Sequence, residues 1–391
     1  MLTRRFTGEQ RLFRLACRRF LAREIAPHMA RWRAVGRVDR EAFRRAGEAG
    51  LLCFWAAPEL GGAGLADFRF DQVLIEETQS ALCSDWGVAL HNRVAGGYLE
   101  RLATPAQQSR FLPGCVAGTT ILALALTEPQ AGSDLSALET RARPAAGGHF
   151  LLDGRKTYIS HGAIADLFVV AARTDPDDPR RLGLFLVEGD RPGLARGRPL
   201  AKLGRHAQDT CELFFDGVRV PAENLLGELH RGLEYIKELL PLERLVAAVE
   251  ALAAAWKALA LTVDFARERR LFGRALADFQ NTRFRLASLR ASLSAAQVFV
   301  DACVAAFNDG RLGDAEAAEA KLLATELLCQ TVDEGVQLHG GAGYLAESPI
   351  CQLYADARVT RIFAGSSEVL KERIARNLFA TQPFPFVETE T

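Results

Sequence analysis

No C-x-x-C pair occurs in the 391-residue sequence, and none of its eight cysteines (17, 53, 83, 115, 211, 303, 329 and 351) joins a histidine at zinc-ligand spacing. A structural zinc is therefore not expected. Most of the thiols sit among apolar neighbours, so buried, reduced cysteines in a reducing compartment such as the cytoplasm are the expected state. Charge of one sign is also lacking, since 48 Lys and Arg balance 48 Asp and Glu. Nucleic acid and anionic membranes are thus excluded as partners held by an overall field, and any anionic ligand must be held by local charge. The longest apolar stretch, Leu245 to Val263, is broken by Glu250 and Lys257, which suits a bundle helix rather than a membrane span. Glu9, Arg14 and Arg18 interrupt the Arg-rich start before an apolar h-region can form, so no secretory signal is read. Internal repeats and low-complexity linkers are absent from the pattern.

What is present falls into three textures. Residues 1–120 carry helical periodicity: Phe13, Cys17, Phe20 and Leu21 share a face, Glu41 to Leu51 and Phe68 to Ala81 suggest two more helices, and Thr104-Pro105 reads as a cap with proline at the first helical position. Residues 121–227 change to short apolar runs (Ile121 to Leu126, Phe150 to Leu152, Leu167 to Ala172, Leu182 to Val187, Thr210 to Val218) divided by Gly, Pro and Asp, the pattern of an antiparallel β domain. Residues 228–391 return to long amphipathic helices, with Leu245, Val249, Leu252, Trp256 and Leu259 at steps of three and four. The expected fold is α+β multidomain: an N-terminal α-helical domain, a central antiparallel β domain and a C-terminal four-helix bundle. The tail after Thr381, with its prolines and acids, is expected to fray.

The chain centres on Leu124-Ala-Leu-Thr-Glu-Pro-Gln-Ala-Gly-Ser-Asp-Leu135. An apolar run stops at Pro129 and turns through Gly132-Ser-Asp, a strand leading into a loop that can offer main-chain N–H groups and the Thr127 and Ser133 hydroxyls to a flat polar ligand. Residue types alone equally describe a surface turn. The full string resembles the signature of the acyl-CoA dehydrogenase flavoproteins, and four further stretches match in order. These are Asp153-Gly-Arg-Lys-Thr-Tyr-Ile-Ser-His-Gly, Arg267-Glu-Arg-Arg-Leu-Phe-Gly-Arg with Asp278-Phe-Gln, Gln337-Leu-His-Gly-Gly-Ala-Gly-Tyr, and Phe363-Ala-Gly-Ser-Ser-Glu-Val.

The resemblance implies FAD as cofactor and places residues around it. Leu126, Thr127 and Ser133 would lie along the ring system, Tyr158 and Ile159 would pack near it, and the Ser160 hydroxyl would approach N5. Arg269, Phe272 and Gln280 would reach a neighbouring subunit's FAD, with Gln337, Leu338, His339, Gly340 and Gly341 on its nucleotide part. Ser366, Ser367 and Glu368 would add further contacts. Two positions depart from the family: Trp or Phe is frequent where Tyr158 stands, and Asn where His161 stands, which bears on redox tuning.

Position 364 is the most informative. Many members carry their catalytic glutamate there, and this chain has Ala364. In the isovaleryl and long-chain branches the base comes from a helix following a break, here Glu238-Leu-Leu-Pro-Leu-Glu-Arg, and the matching residue is Glu243. That helix is expected to begin after Pro241, with Glu243 in its first turn and off the apolar stripe. Ser133, Arg244, Ala364 and Gly365 would contact substrate. The implied activity is dehydrogenation of a saturated acyl-CoA to the trans-2-enoyl-CoA, by a homotetramer passing electrons to an electron-transfer flavoprotein. Two alternatives stay open: a dehydrogenase or oxidase acting on a carrier-protein thioester, and a catalytically silent scaffold suggested by Ala364.

Overall fold

A computed structural model describes Arg4 and residues 6–380; the tail after Thr381 lies outside them. Contacts divide the chain into two compact units, residues 6–239 and residues 240–380 with Arg4, so the helical and β segments of the first half share one body.

In the first unit six α-helices precede the sheet: α1 (Gly8–Phe20), α2 (Met29–Val35), α3 (Arg40–Glu48), α4 (Arg69–Ser80), α5 (Gly96–Leu102) and α6 (Pro105–Val116). Their starts follow local chemistry. Thr7 caps α1 and Thr104 caps α6, each paired with a glutamine three residues on in a reciprocal capping box. The expected proline at the first position of α6 is there. Phe13 of α1 meets Phe54 and Phe70 edge-on, both at 5.4 Å, and seals α1 against α4.

Eight strands follow: β1 (Leu122–Ala125), β2 (Arg141–Ala145), β3 (His149–Ser160), β4 (Leu167–Arg173), β5 (Leu182–Glu188), β6 (Leu194–Arg196), β7 (Thr210–Pro221) and β8 (Leu225–Leu226). They form one sheet in the order β6-β7-β3-β2-β4-β5-β8, with β1 also beside β4. The sheet is antiparallel except at two pairings, β1 with β4 and β2 with β4, which are parallel. β4 and β5 are buried on both faces for six residues each, which is why they read as unbroken apolar runs rather than alternations.

Two polar ties fix where β1 begins. The Leu122 N–H donates to His91 Nδ1 at 3.2 Å, and His91 Nε2 lies 3.0 Å from the Cys115 carbonyl. A ring that accepts at Nδ1 carries its proton on Nε2 and is neutral. Burial keeps it so, pushing the imidazole down to about 4. Asp166 then accepts from the Ile121 N–H at 2.7 Å and from Arg40 of α3 at 2.7 Å.

The second unit is helical: α7 (Gly232–Glu268), whose first residues belong to the first unit, then a hairpin of β9 (Arg270–Leu271) and β10 (Arg274–Ala275), then α8 (Gln280–Asn308), α9 (Asp314–His339), α10 (Pro349–Ala357) and α11 (Ser367–Ala380). α9 packs against α8, α10 and α11. One expectation is corrected: α7 does not start after Pro241 but runs through it. Proline removes the bond to the carbonyl four residues back, that of Lys237, and its ring crowds that carbonyl; Lys237 is exposed, so the carbonyl can tilt outward and water can take the place of the lost donor. Glu243 accordingly lies in the helix interior, not in a first turn. α7 and α8 are each long and apolar enough to cross a membrane by length and composition. The 242–249 stretch of α7 is buried all round and includes Glu243 and Arg244, as in a core helix.

Candidate active site

Residues singled out from the sequence occur in both units, and each set is built locally. In the first unit, the loop after β1 is pinned to β3 by a buried ion pair that the sequence reading missed. Lys156 Nζ lies 2.7 Å from Glu128 Oε1 and donates to the Leu126 carbonyl at 2.9 Å. Glu128 also accepts from the Thr140 N–H at 3.0 Å, the Glu139 N–H at 2.7 Å and Gln130 Nε2 at 2.7 Å. Burial opposes charge on Glu128, but the ammonium and these donors outweigh it and hold the carboxyl below its usual range. Burial pulls the Lys156 ammonium down to about 8, against the pull of Glu128, so the pair is ionised at neutral pH.

This anchor decides what the loop shows to its surroundings. The Leu126 carbonyl faces Lys156, and the Thr127 carbonyl accepts from the Thr157 N–H at 2.9 Å. Because the peptide bonds are trans and planar, the Thr127 N–H points the other way, away from the ion pair. Two residues on, β3 slips register against β7 between Lys156 and Ile159, and Tyr158 sits in that bulge with φ 58° and 67% of its surface exposed. A bulge re-aims side chains, and a bulky residue at positive φ is held only where its neighbours determine it. Ile159 is buried, Ser160 half-buried, and Leu126 and Thr127 half-buried beside them. Ser133 is exposed in the turn beyond, where Asp134 Oδ1 accepts from the Ser136 N–H at 2.9 Å. An outward main-chain donor, an exposed aromatic face and neighbouring hydroxyls suit a flat heterocycle with polar edges such as a flavin. His161, also at positive φ (59°), closes the strand: the backbone turns there and Ala163 N–H donates to Asp209 at 2.7 Å.

In the second unit, Glu243 and Arg244 are 8% and 4% exposed, inside α7. Arg244 is paired with Asp314 at the start of α9, while its Nε is buried without a hydrogen-bond partner, a donor left for a ligand. Ala364 and Gly365 form a turn with φ of 51° and 90° ahead of α11. Ser366 caps α11 through the Val369 N–H at 3.4 Å, Ser367 is buried against Glu326 at 2.8 Å, and Glu368 is exposed. The main-chain N–H of Glu368 and the Ser366 hydroxyl hold that carboxyl below its usual range.

Arg269, Phe272 and Gln280 surround the β9–β10 hairpin and are all exposed, Phe272 at 96% with φ 51°. At the end of α9, Gln337, Gly340 and Gly341 are exposed and Leu338 and His339 half-buried. His339 stacks on Phe265 at 4.2 Å, and the Phe265 carbonyl accepts from the Arg269 N–H at 2.9 Å, so these two sets meet. Nothing within 4 Å would meet a side chain added at Gly340 or Gly341. Open glycines beside an arginine and a glutamine can admit a diphosphate closely. Among the described residues, no three His, Cys, Asp or Glu side chains are grouped to hold a metal.

The order of these parts matches three family models in succession: acyl-CoA dehydrogenase N-terminal domain over residues 7–119, middle domain over 123–218, and C-terminal domain over 230–379. The chain belongs to the acyl-CoA dehydrogenase family, whose members are FAD-dependent oxidoreductases. It is similar to the mitochondrial long-chain specific acyl-CoA dehydrogenase of Mus musculus, with 38% identity across 96% of this chain and 88% of that one. It is also similar to the mitochondrial isovaleryl-CoA dehydrogenase of Oryza sativa subsp. japonica, with 32% identity across 96% of this chain and 92% of the other. The crystal structure of acyl-CoA dehydrogenase from Geobacillus kaustophilus superimposes with a TM-score of 0.94 at 40% identity, covering 96% of this chain and 99% of that one.

Proposed function

We propose that this protein oxidises a saturated acyl-CoA to the trans-2-enoyl-CoA, with Glu243 as the base that takes the α-proton. The observation that carries the reading is a carboxylate buried in the interior of α7, in a chain with alanine at 364. Removing a proton next to a thioester carbonyl needs a desolvated, fixed carboxylate, and a surface acid would not serve. Arg244 is paired with Asp314, and its buried Nε–H, without a partner, is a donor suited to a polar group of the substrate. The main-chain N–H of Ala364 is suited to polarise the thioester carbonyl, since backbone donation needs no side chain. FAD, when bound, supplies the acceptor for the hydride leaving the β-carbon. Leu126, Thr127, Tyr158, Ile159 and Ser160 would hold its ring system, with Arg269, Phe272, Gln280 and the 337–341 turn on its diphosphate side.

The exposed Phe272, Arg269 and Gln280 favour a homotetramer in which this hairpin meets another subunit, and an electron-transfer flavoprotein is the expected electron acceptor. Eight free cysteines, six of them buried, favour the cytoplasm. The test is Glu243→Gln. The variant should bind FAD and stay yellow while losing bleaching by acyl-CoA; bleaching at the unaltered rate would remove Glu243 from the mechanism. Peroxide released in step with product would move the assignment to an oxidase, and turnover confined to carrier-protein thioesters would move it to that substrate.

A further inference from the structure

α9 carries three charged side chains that hold elements bearing the proposed chemistry, and one of them is a lysine with no exposed surface. Asp314, at the start of α9, pairs with Arg244, the neighbour of Glu243 on α7. Seven residues on, Lys321 is fully buried and its ammonium donates to the Gly365 carbonyl at 2.8 Å. Five further on, Glu326 accepts from Ser367 at 2.8 Å and from Arg361 at 2.9 Å, the two flanks of the same turn. Asp314 and Lys321 are two helical turns apart, about 10 Å along one face of α9. Lys321 also feels Arg244, the partner of Asp314: burial first and then that guanidinium lower the affinity of Lys321 for its proton.

A lone ammonium is an expensive way to stabilise a helix core. A buried lysine forfeits hydration, and here it meets a neutral carbonyl and an aromatic face 6.0 Å away, that of Phe363. What this arrangement fixes is conformation. Ala364 and Gly365 both hold positive φ, a pair of settings that an unanchored turn would leave, and an alanine there is strained. Four dihedrals, φ and ψ at Ala364 and at Gly365, separate the Gly365 carbonyl from the Ala364 N–H; with both φ values in the left-handed region and that carbonyl held by Lys321, the orientations open to the Ala364 N–H are restricted.

We propose that Lys321 is a positioning residue for the acyl thioester: by holding the Gly365 carbonyl it aims the Ala364 N–H, and through α9 it keeps that donor in register with the helix that bears Glu243. The inference rests on the dehydrogenase reading and extends it to a residue that touches neither substrate nor cofactor.

The test compares Lys321→Met, which keeps the stem and removes the donor, with Lys321→Arg. In the Met variant kcat should fall about tenfold to a hundredfold, as expected when a donor is misaimed by about 1 Å, with FAD content and KM changed less than threefold. The carbonyl stretch of a bound enoyl-CoA, read by difference Raman spectroscopy, should move back toward its position in water, and Lys321→Arg should restore part of both effects. A Met variant with full FAD whose kcat and carbonyl stretch match the unaltered protein overturns the proposal. If Lys321→Met does not fold, the isosteric Glu326→Gln, at a half-exposed position on the same turn, is measured in the same way: a loss of kcat with a shifted stretch supports the proposal and unchanged values overturn it. Absence of bleaching in the unaltered protein by every acyl-CoA tried would instead overturn the dehydrogenase reading, which keeps the two failures distinct.

Discussion

Replacing Lys156 with methionine removes one half of the buried ion pair that pins the loop after β1. Glu128 would lose its counter-charge at 2.7 Å and keep the N–H groups of Thr140 and Glu139 and the side chain of Gln130. Breaking a buried pair by deleting one partner costs about 3–5 kcal/mol. Three remaining donors put this case at the lower end, about 3 kcal/mol. For a unit of this size that corresponds to a melting temperature lower by about 6–12 °C. The pH dependence has a definite sign. In the unaltered protein the Glu128 carboxyl is held below its usual range, so its stabilisation is present above about 4.5 and is lost as pH falls through the depressed value. In the variant the same buried carboxyl resists ionisation and its stability is regained as acid protonates it. The melting gap should therefore be widest near neutrality and close toward pH 4.5. Differential scanning calorimetry of the FAD-free proteins from pH 4.5 to 8 measures this. FAD affinity should fall with it, because the Thr127 N–H is aimed by the Leu126 carbonyl that Lys156 holds. A gap under about 2 °C at neutral pH, or one that does not narrow on acidification, would refute the argument that this pair fixes the loop.

Other expectations follow from the same reasoning. Glu243→Gln should cut the rate of flavin bleaching by at least about a thousandfold while leaving the absorption spectrum of the bound cofactor intact, measured by stopped-flow. Adding Ala364→Glu to that variant should recover part of the rate, since both positions are in the second unit and the family resemblance puts a base at either one; no recovery would argue that the turn held by Lys321 cannot present a carboxylate. His91 binds its proton less tightly folded than unfolded, near 4 against 6.5, so stability should drop as pH falls from about 6.5 to 4, by roughly 3 kcal/mol beyond the drop in His91→Gln, read by urea unfolding. Phe272→Asp should lower both subunit association, by analytical ultracentrifugation, and FAD retention; a variant with unchanged mass and cofactor content would detach the hairpin from the proposed interface.

The order of the fold could be read from the residues because its signals are local. The Thr104-Pro105 cap, the apolar runs in β4 and β5, and the Pro129 and Gly132 breaks each declare themselves within a few positions. The pointer from Ala364 to Glu243 came instead from the family resemblance, through one missing carboxylate. Tertiary structure alone decided the rest. Glu128 and Lys156 lie 28 residues apart, and Lys321 and Gly365 lie 44 apart; nothing in either neighbourhood says that a surface-type charge will be buried against the other. The bulge that exposes Tyr158 arises from register with β7, and the helix runs through Pro241 at a place where Lys237, four residues back, is exposed. A buried ion pair, a strand slip and a tolerated proline all depend on what the chain brings alongside from a distance, and desolvation acts only once that neighbour is in place.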